Sequence, residues 1–548
     1  MMNKRWLSLY HESLHETTTV QSKSLYELLL QTQNKSGDST ALTFYEHKWT
    51  YNQLVQMAEA FASALNQEQF QKGDRLAIML PNCPHYVFSL FATFRVGGTV
   101  VQVNPMYVAR ELEYILNDSG ATHIVILSDL YPILEQVRDK TSVKKAIVVS
   151  LKPTSNLQLS EGDERFEEFV RIGTKAAPKV DIVPEEDIAV LQYTGGTTGV
   201  SKGVMLTHLN FISNIEQTYD FMYRVRDDMP ENAKIMNVLP LFHIFSLTCA
   251  NFLTVRIGGN QILLPRFEMQ EVLETLKREQ PFSFSGVPTM YVGFNAVGQH
   301  QKFDLDKIKA FISGGSSLPV EALETFEKAV NNQICEGYGL SETAPVTHFN
   351  PSFRERKAGS IGIPIPSTDA RVVRETDIGI EEVPVGEVGE LVIKGPQVMK
   401  GYWRKEEVTA QTIKDGWLFT GDLAKMDEDG YFYIVDRKKD MIIASGYNVY
   451  PREIEEVIYQ HDAVQEVIVL GVPDAYRGET IKAYITPKPN TTLTEESIIQ
   501  FCQKYLAAYK VPKLVEFRDE LPKSAVGKLL KRKLRDEELQ KQNTNQLS

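Results

Sequence analysis

Short apolar runs alternate with helical patterns over the first two thirds of the chain. RLAIML (75–80) reads as a buried strand, YVFSLFATFRVGG (86–98) as a helix closed by glycine, and TVVQVN (99–104) as the next strand. HIVILS (123–128) and KAIVVS (145–150) follow after helical spacers. This strand–helix–strand rhythm predicts α/β layers with largely parallel sheets. The pattern changes near 380–440, where GEVGELVIKG (386–395), DGWLFTGDLA (415–424) and EDGYFYIVDRKKD (428–440) are punctuated by glycine. That predicts a small β-rich region. Beyond it come a helix at 451–460, strands at 465–472 and 480–487, and a helix at 494–506, a compact α+β pattern. About 110 residues suffice for a separate small domain. The expected class is α/β: a large N-terminal domain, 1–436, of layered α/β subdomains plus a β-rich subdomain, then a small C-terminal α+β domain, 437–548.

Composition narrows the function. The 548 residues exceed what one core holds, and 43% hydrophobic with 24% charged is ordinary for a soluble globular protein. A net charge of −12 leaves no electrostatic footprint for nucleic acid. The short basic run 531–533 is followed by the acidic 536–538 and reads as a solvated helix face. Cys83, Cys249, Cys335 and Cys502 lie far apart, without C-x-x-C or a histidine cluster, so neither a disulfide framework nor structural zinc is expected. A reducing, cytoplasmic setting fits. The N-terminus has no apolar signal region, and no run approaches the roughly 18 apolar residues of a membrane span. Peripheral contact with the inner face of a membrane stays open, as does a homodimer.

The stretch YTGGTTGVSKGVMLTH (193–208) carries the first chemistry. Glycine lets the backbone N–H groups approach a polyphosphate, hydroxyls add donors, and Lys202 adds charge. The spacing is not that of a Walker A loop, because the lysine does not directly follow a glycine. No G-x-G-x-x-G follows a strand, which disfavours a dinucleotide site. A plain hairpin connection remains the rival reading.

Four further stretches follow in order: YGLSET (338–343), WLFTGDLA (417–424), YIVDRKKDMIIASGYNVYPREIE (433–455) and PKSAVGK (522–528). With them the chain resembles the adenylate-forming superfamily of acyl-CoA synthetases, luciferases and peptide-synthetase adenylation domains. It most resembles bacterial long-chain fatty-acid–CoA ligases, over about Ser24 to Lys528. The resemblance implies ATP, Mg²⁺ and coenzyme A as partners in the reaction, and it implies roles at matching positions. Thr194, Gly195, Gly196, Thr197, Thr198, Gly199 and Lys202 would hold the β- and γ-phosphates. Gly314, Gly315 and Ser316 would turn against adenine, with Glu336, Gly337 and Tyr338 as the facing wall and the Tyr338 ring stacked on the base. Glu342 would be the Mg²⁺ ligand and Thr343 would touch the α-phosphate. Asp422 would accept from the ribose hydroxyls, with Arg437 beside it.

Lys528 would clamp the α-phosphate as the carboxylate attacks; Val526 stands where many relatives have Ser or Thr. The small domain would be mobile and turn about Lys439 between half-reactions. That turn would bring Ser445 and Gly446 to the site, where they form a coenzyme A tunnel with Gly286. His243, in PLFHIFSLT (240–248), would line the carboxylate end of the acyl pocket; a packed core histidine is its rival. No carboxylate stands at 243–246 to meet an amino-acid ammonium, so a fatty acid is the expected substrate. Three alternatives stay open: a medium-chain or aryl (4-coumarate-type) CoA ligase, a fatty acyl-AMP ligase loading a carrier protein, and a non-catalytic acyl sensor.

Overall fold

The computed structural model describes residues 4–152, 157–173, 176–194, 201–354, 356–376, 379–444, 447–474, 478–525 and 527–547. Among these the strands form four sheets, of nine, eight, six and five strands. Arg75–Met79, Thr99–Gln102, His123–Leu127 and Lys145–Val149 are parallel neighbours in the eight-stranded sheet. Their residues are nearly all buried, as expected for parallel strands covered on both faces. In the nine-stranded sheet Lys234–Asn237, Ser283–Gly286, Ala310–Ser313 and Ile334–Gly339 also run parallel. Leu29, Leu54, Phe91, Val190, Phe211 and Leu263 share one buried cluster, which ties both sheets and the helices Leu25–Ser36, Tyr51–Gln67, Pro84–Arg95 and His208–Tyr219 into one core.

The β-rich region begins earlier than the glycine pattern indicated. Its sheet opens with Asp369–Thr376, a strand without internal glycine, and closes with Phe432–Arg437. The five-stranded sheet then starts at Ile442–Ala444, and its helices Pro451–Tyr459 and Glu495–Tyr505 pack on a core of their own around Ile454, Val469, Ile485 and Ile498. We call these two parts the large and small lobes. The four cysteines are free. Among the described residues no helix is long and apolar enough to cross a membrane.

Candidate active site

The carboxyl ends of the parallel strands in both large sheets, where α/β folds place their ligands, open onto one cavity of ≈ 1670 Å³ closed on its far side by the small lobe. At one end are Thr194 and Lys202. Strand Ile188–Thr194 pairs antiparallel with Lys202–Thr207, which sets Thr194 opposite Lys202 at the cavity. Gly195, Gly196, Thr197, Thr198 and Gly199 lie outside the described residues.

Lys202 Nζ sits 5.2 Å from the centroid of the Tyr402 ring, and the Tyr402 hydroxyl donates to Glu342 Oε1 at 2.7 Å. Tyr402 therefore joins Lys202 to Glu342, the candidate metal carboxylate. No pattern in the sequence marked it; it arrives on the short strand Gly401–Tyr402 that pairs with Lys202–Thr207. Among the described residues no group of three or more His, Cys, Asp or Glu could hold a metal ion unaided. Glu342, one of several carboxylates on the cavity wall, offers hard oxygens that suit magnesium, which takes one or two protein carboxylates and completes its shell with phosphate and water. Thr343 differs from expectation. It is fully buried, and its hydroxyl is engaged by the backbone of Leu340 and Pro345. That bonding fixes the turn Ser341–Thr343 carrying Glu342, and it leaves the Thr343 hydroxyl off the cavity wall rather than facing an α-phosphate.

At the other end, strand Ala310–Ser313 runs into Gly314, Gly315 and Ser316 on the cavity wall. Gly315 has φ +84°, a conformation that disfavours side chains. Facing it are Glu336, Gly337 and Tyr338 on Ile334–Gly339. The Tyr338 hydroxyl donates to Asp422 Oδ2 at 2.6 Å, and Arg437 Nε lies 3.2 Å from Asp422 Oδ1. Asp422 and Arg437 are direct cross-strand partners. Burial and the Asp422 charge push the Tyr338 phenol well above its ordinary pKa, so it remains a donor. An ionised carboxylate has about four lone-pair sites, and two are taken here; the rest can accept two vicinal hydroxyls. Asp422→Asn should therefore raise KM for ATP about ten- to a hundredfold, the worth of roughly 1.5–3 kcal/mol for hydrogen bonds to a charged group. Steady-state kinetics at saturating acid and coenzyme A checks this.

Lys528 enters the same cavity from the small lobe. It follows Gly527 (φ +79°) in a turn closed by Gly527 N–H on Ser524 O at 2.9 Å, and the final helix starts at Lys531. The Thr289 hydroxyl of the large lobe donates to Gly527 O at 3.1 Å and so anchors this turn. Burial, with Arg437 and Lys439 nearby, lowers the Lys528 pKa to about 8, although Asp422 and Asp440 oppose the shift. Lys439 is exposed at the cavity rim; partial desolvation, then Arg437 and Arg535, pull its pKa down. Three cations thus converge where an anion would relieve their repulsion. His243 lines the cavity and accepts the Phe245 N–H at Nδ1 (3.3 Å). Burial, and secondarily Lys528, lower its pKa to about 4, so it is neutral near pH 7.

Two positions expected on a coenzyme A tunnel, Ser445 and Gly446, lie outside the described residues. The third, Gly286, is buried off the cavity: a Cβ there would stand 2.9 Å from the Phe284 ring and 3.2 Å from the Tyr291 ring. Glycine leaves room there for the two rings, and Pro288, Thr289 and Val292 line the cavity nearby in sequence. Beyond His243 the cavity continues between Met222, Phe245, Cys249 and Leu253. Met222 and Cys249 come from two π-helical segments, Asp220–Arg224 and Ser246–Phe252, a geometry frequent at functional sites.

One cavity thus combines cationic side chains, a carboxylate with lone pairs to spare and an apolar extension, and the chain belongs to the AMP-binding enzymes. The family model for the AMP-binding enzyme matches residues 29–403, and that for its C-terminal domain matches 453–528. The chain is 44% identical over 558 residues to the long-chain-fatty-acid–CoA ligase of Bacillus subtilis (strain 168), covering 98% of each chain. It is 42% identical over 568 residues to the enzyme of that name from Escherichia coli O6:H1, again covering 98% of each. Among solved structures, the anthranilate CoA ligase AuaEII in complex with anthranoyl-AMP superposes with a TM-score of 0.86 at 27% identity, covering 95% of this chain and 98% of the other.

Proposed function

We propose that this protein joins a long-chain fatty acid to coenzyme A at the expense of ATP, through an acyl-adenylate. In the first step a carboxylate oxygen attacks the α-phosphorus of ATP; the bond to pyrophosphate breaks and acyl-AMP forms. In the second the coenzyme A thiol, losing its proton, attacks the acyl carbonyl and AMP leaves. The observation that carries this reading is Lys528 of the small lobe inside the cavity that holds His243, Asp422, Arg437 and Glu342. Two anions must meet in the first step, and a fixed cation at their junction stabilises the charge that develops. Lys202, with Thr194 and the five loop residues 195–199, would hold the β- and γ-phosphates; Glu342 would hold magnesium, which supplies charge neutralisation there. Gly314–Ser316 and Glu336–Tyr338 would enclose adenine. His243, neutral, would line the carboxylate end.

Lys528 obstructs the thiol's approach in the second step. The division at 436/437 and a turn of the small domain about Lys439 answer that need, bringing Ser445 and Gly446 to the site. The apolar walls and the names of the relatives support a long acyl chain. The free cysteines support a cytoplasmic location; contact with a membrane face and a homodimer belong to the same proposal, checked by vesicle flotation and light scattering. The deciding assay incubates protein, ATP and Mg²⁺ with acids from acetate to oleate and with coumarate, with and without coenzyme A, and reads products by mass spectrometry. Acyl-CoA peaking at long chains is expected. Acyl-AMP accumulating despite coenzyme A would move the acceptor to a carrier protein, and a peak at coumarate would make it an aryl ligase.

A further inference from the structure

We propose that Arg452 is a positioning residue for adenylate formation, seating the small lobe on the large one so that Lys528 enters the cavity. The inference rests on the two-step reading above. Arg452 stands at the start of helix Pro451–Tyr459, and it bonds to the large lobe twice. Its Nη1 donates to Ile434 O at 2.7 Å and its backbone N–H donates to Asp436 Oδ2 at 2.9 Å, both on Phe432–Arg437. One turn along the helix, Glu456 Oε1 lies 3.8 Å from Arg452 Nε, and the N–H of Val320 in the large lobe is among the groups that favour the Glu456 carboxylate.

Across the lobe boundary stands Glu336, 8% exposed, one of whose oxygens has no partner among the described residues. The groups facing it are Arg452, Arg356, the N–H of Leu318 and Glu456. Arg356 is itself paired with Glu327. Those facing Glu456 are Arg452, the Val320 N–H and Glu455. Arg452 thus sets a positive charge beside two carboxylates from opposite lobes. Burial raises the pKa of both, that of Glu336 to about 7. The seat is linked to the reacting end through the next side chain: Glu455 Oε1 accepts the Val469 N–H at 2.8 Å and pairs with Lys531 Nζ at 2.9 Å, three residues beyond Lys528. Ile434 and Asp436 therefore hold one side of a helix whose other side pairs with Lys531, three residues past Lys528.

Arg452→Ala should lower acyl-AMP formation about ten- to a hundredfold, the scale of a misplaced reacting group. Thioester formation from supplied acyl-AMP should stay within about twofold of wild type. The loss should be smaller near about pH 6 than near about pH 8, because without the arginine the two carboxylates repel only when both are ionised, and protonation at low pH relieves them. Arg452→Lys should recover the wild-type pH profile but only part of the rate. Trypsin should cut Arg452→Ala faster than wild type at Lys438–Lys439, a readout independent of chemistry. Glu456→Gln should lower adenylate formation in the same direction with a flatter pH response. Equal loss in both half-reactions, a loss that ignores pH, or unchanged proteolysis would overturn the proposal. A wild type that forms no acyl-AMP overturns the reading beneath it, and the proteolysis comparison then still decides the seat.

Discussion

Lys528→Ala should slow acyl-adenylate formation by about 10²–10³-fold, while the protein should still convert supplied acyl-AMP and coenzyme A to acyl-CoA. The expected size is that of removing one preorganised charge from a closed site, where the low dielectric magnifies it. The asymmetry follows from placement. In this structure the Lys528 turn is tied to Thr289 and held near Arg437 and Lys439, an arrangement suited to the anion-crowded first step. The second step brings up a neutral acyl carbonyl and a thiol, and has no need of that cation. Rapid-quench assays of each half-reaction separate the two, and equal loss in both would refute a role confined to the first.

The same lysine sets an alkaline limb. Its pKa lies near 8 rather than its ordinary 10.5, so the charged form prevails below about pH 8 and is lost above it. kcat/KM for adenylate formation should fall with unit slope above that point, since it reports the free enzyme. Bound ATP adds negative charge and must raise the pKa, so the limb in kcat should lie at higher pH. Lys528→Arg should remove the limb, because guanidinium does not titrate there. His243, with a pKa near 4, predicts no acid limb of its own above about pH 5.

The parallel strands were legible because burial on both faces leaves continuous apolar runs: 75–80, 99–104, 123–128 and 145–150 each match an observed strand to within two residues. Helix Pro84–Arg95 begins two residues before its apolar run, at a proline that pre-organises the first turn. Helices Leu25–Ser36 and Tyr51–Gln67 carried a signal that went unread, the capping boxes Ser24/Glu27 and Thr50/Gln53. The cavity wall was legible where a local motif marks it, as at Asp422 after its glycine turn. Tyr402 and Arg452 were not, because their roles come from partners far away in sequence, Glu342 and Lys202 for one, Ile434, Glu336 and Asp436 for the other. Thr343 shows the opposite limit: a motif names the residue, but only the backbone around it decides which way its hydroxyl bonds.

Glu342→Gln should cut adenylate formation at about 1 mM magnesium by on the order of 10²-fold, with part of the loss recovered as magnesium rises. Glutamine preserves the shape and can still accept the Tyr402 hydroxyl, so the variant tests the charge alone. Glu342 Oε1 accepts that hydroxyl at 2.7 Å, which orients the carboxylate while leaving other lone pairs for a hard cation. Tyr402→Phe should therefore act in the same direction and more weakly, by about tenfold, since it loosens the carboxylate without removing it. Lys202 lies over the Tyr402 ring, so this variant keeps the cation–π contact and isolates the hydroxyl. Magnesium titrations at fixed ATP distinguish these effects from general damage: a metal carboxylate shifts the magnesium midpoint, whereas a residue that only packs the turn lowers the plateau. A Glu342→Gln protein with the wild-type midpoint would remove Glu342 from the metal site and leave the phosphates as the only anchor for the ion.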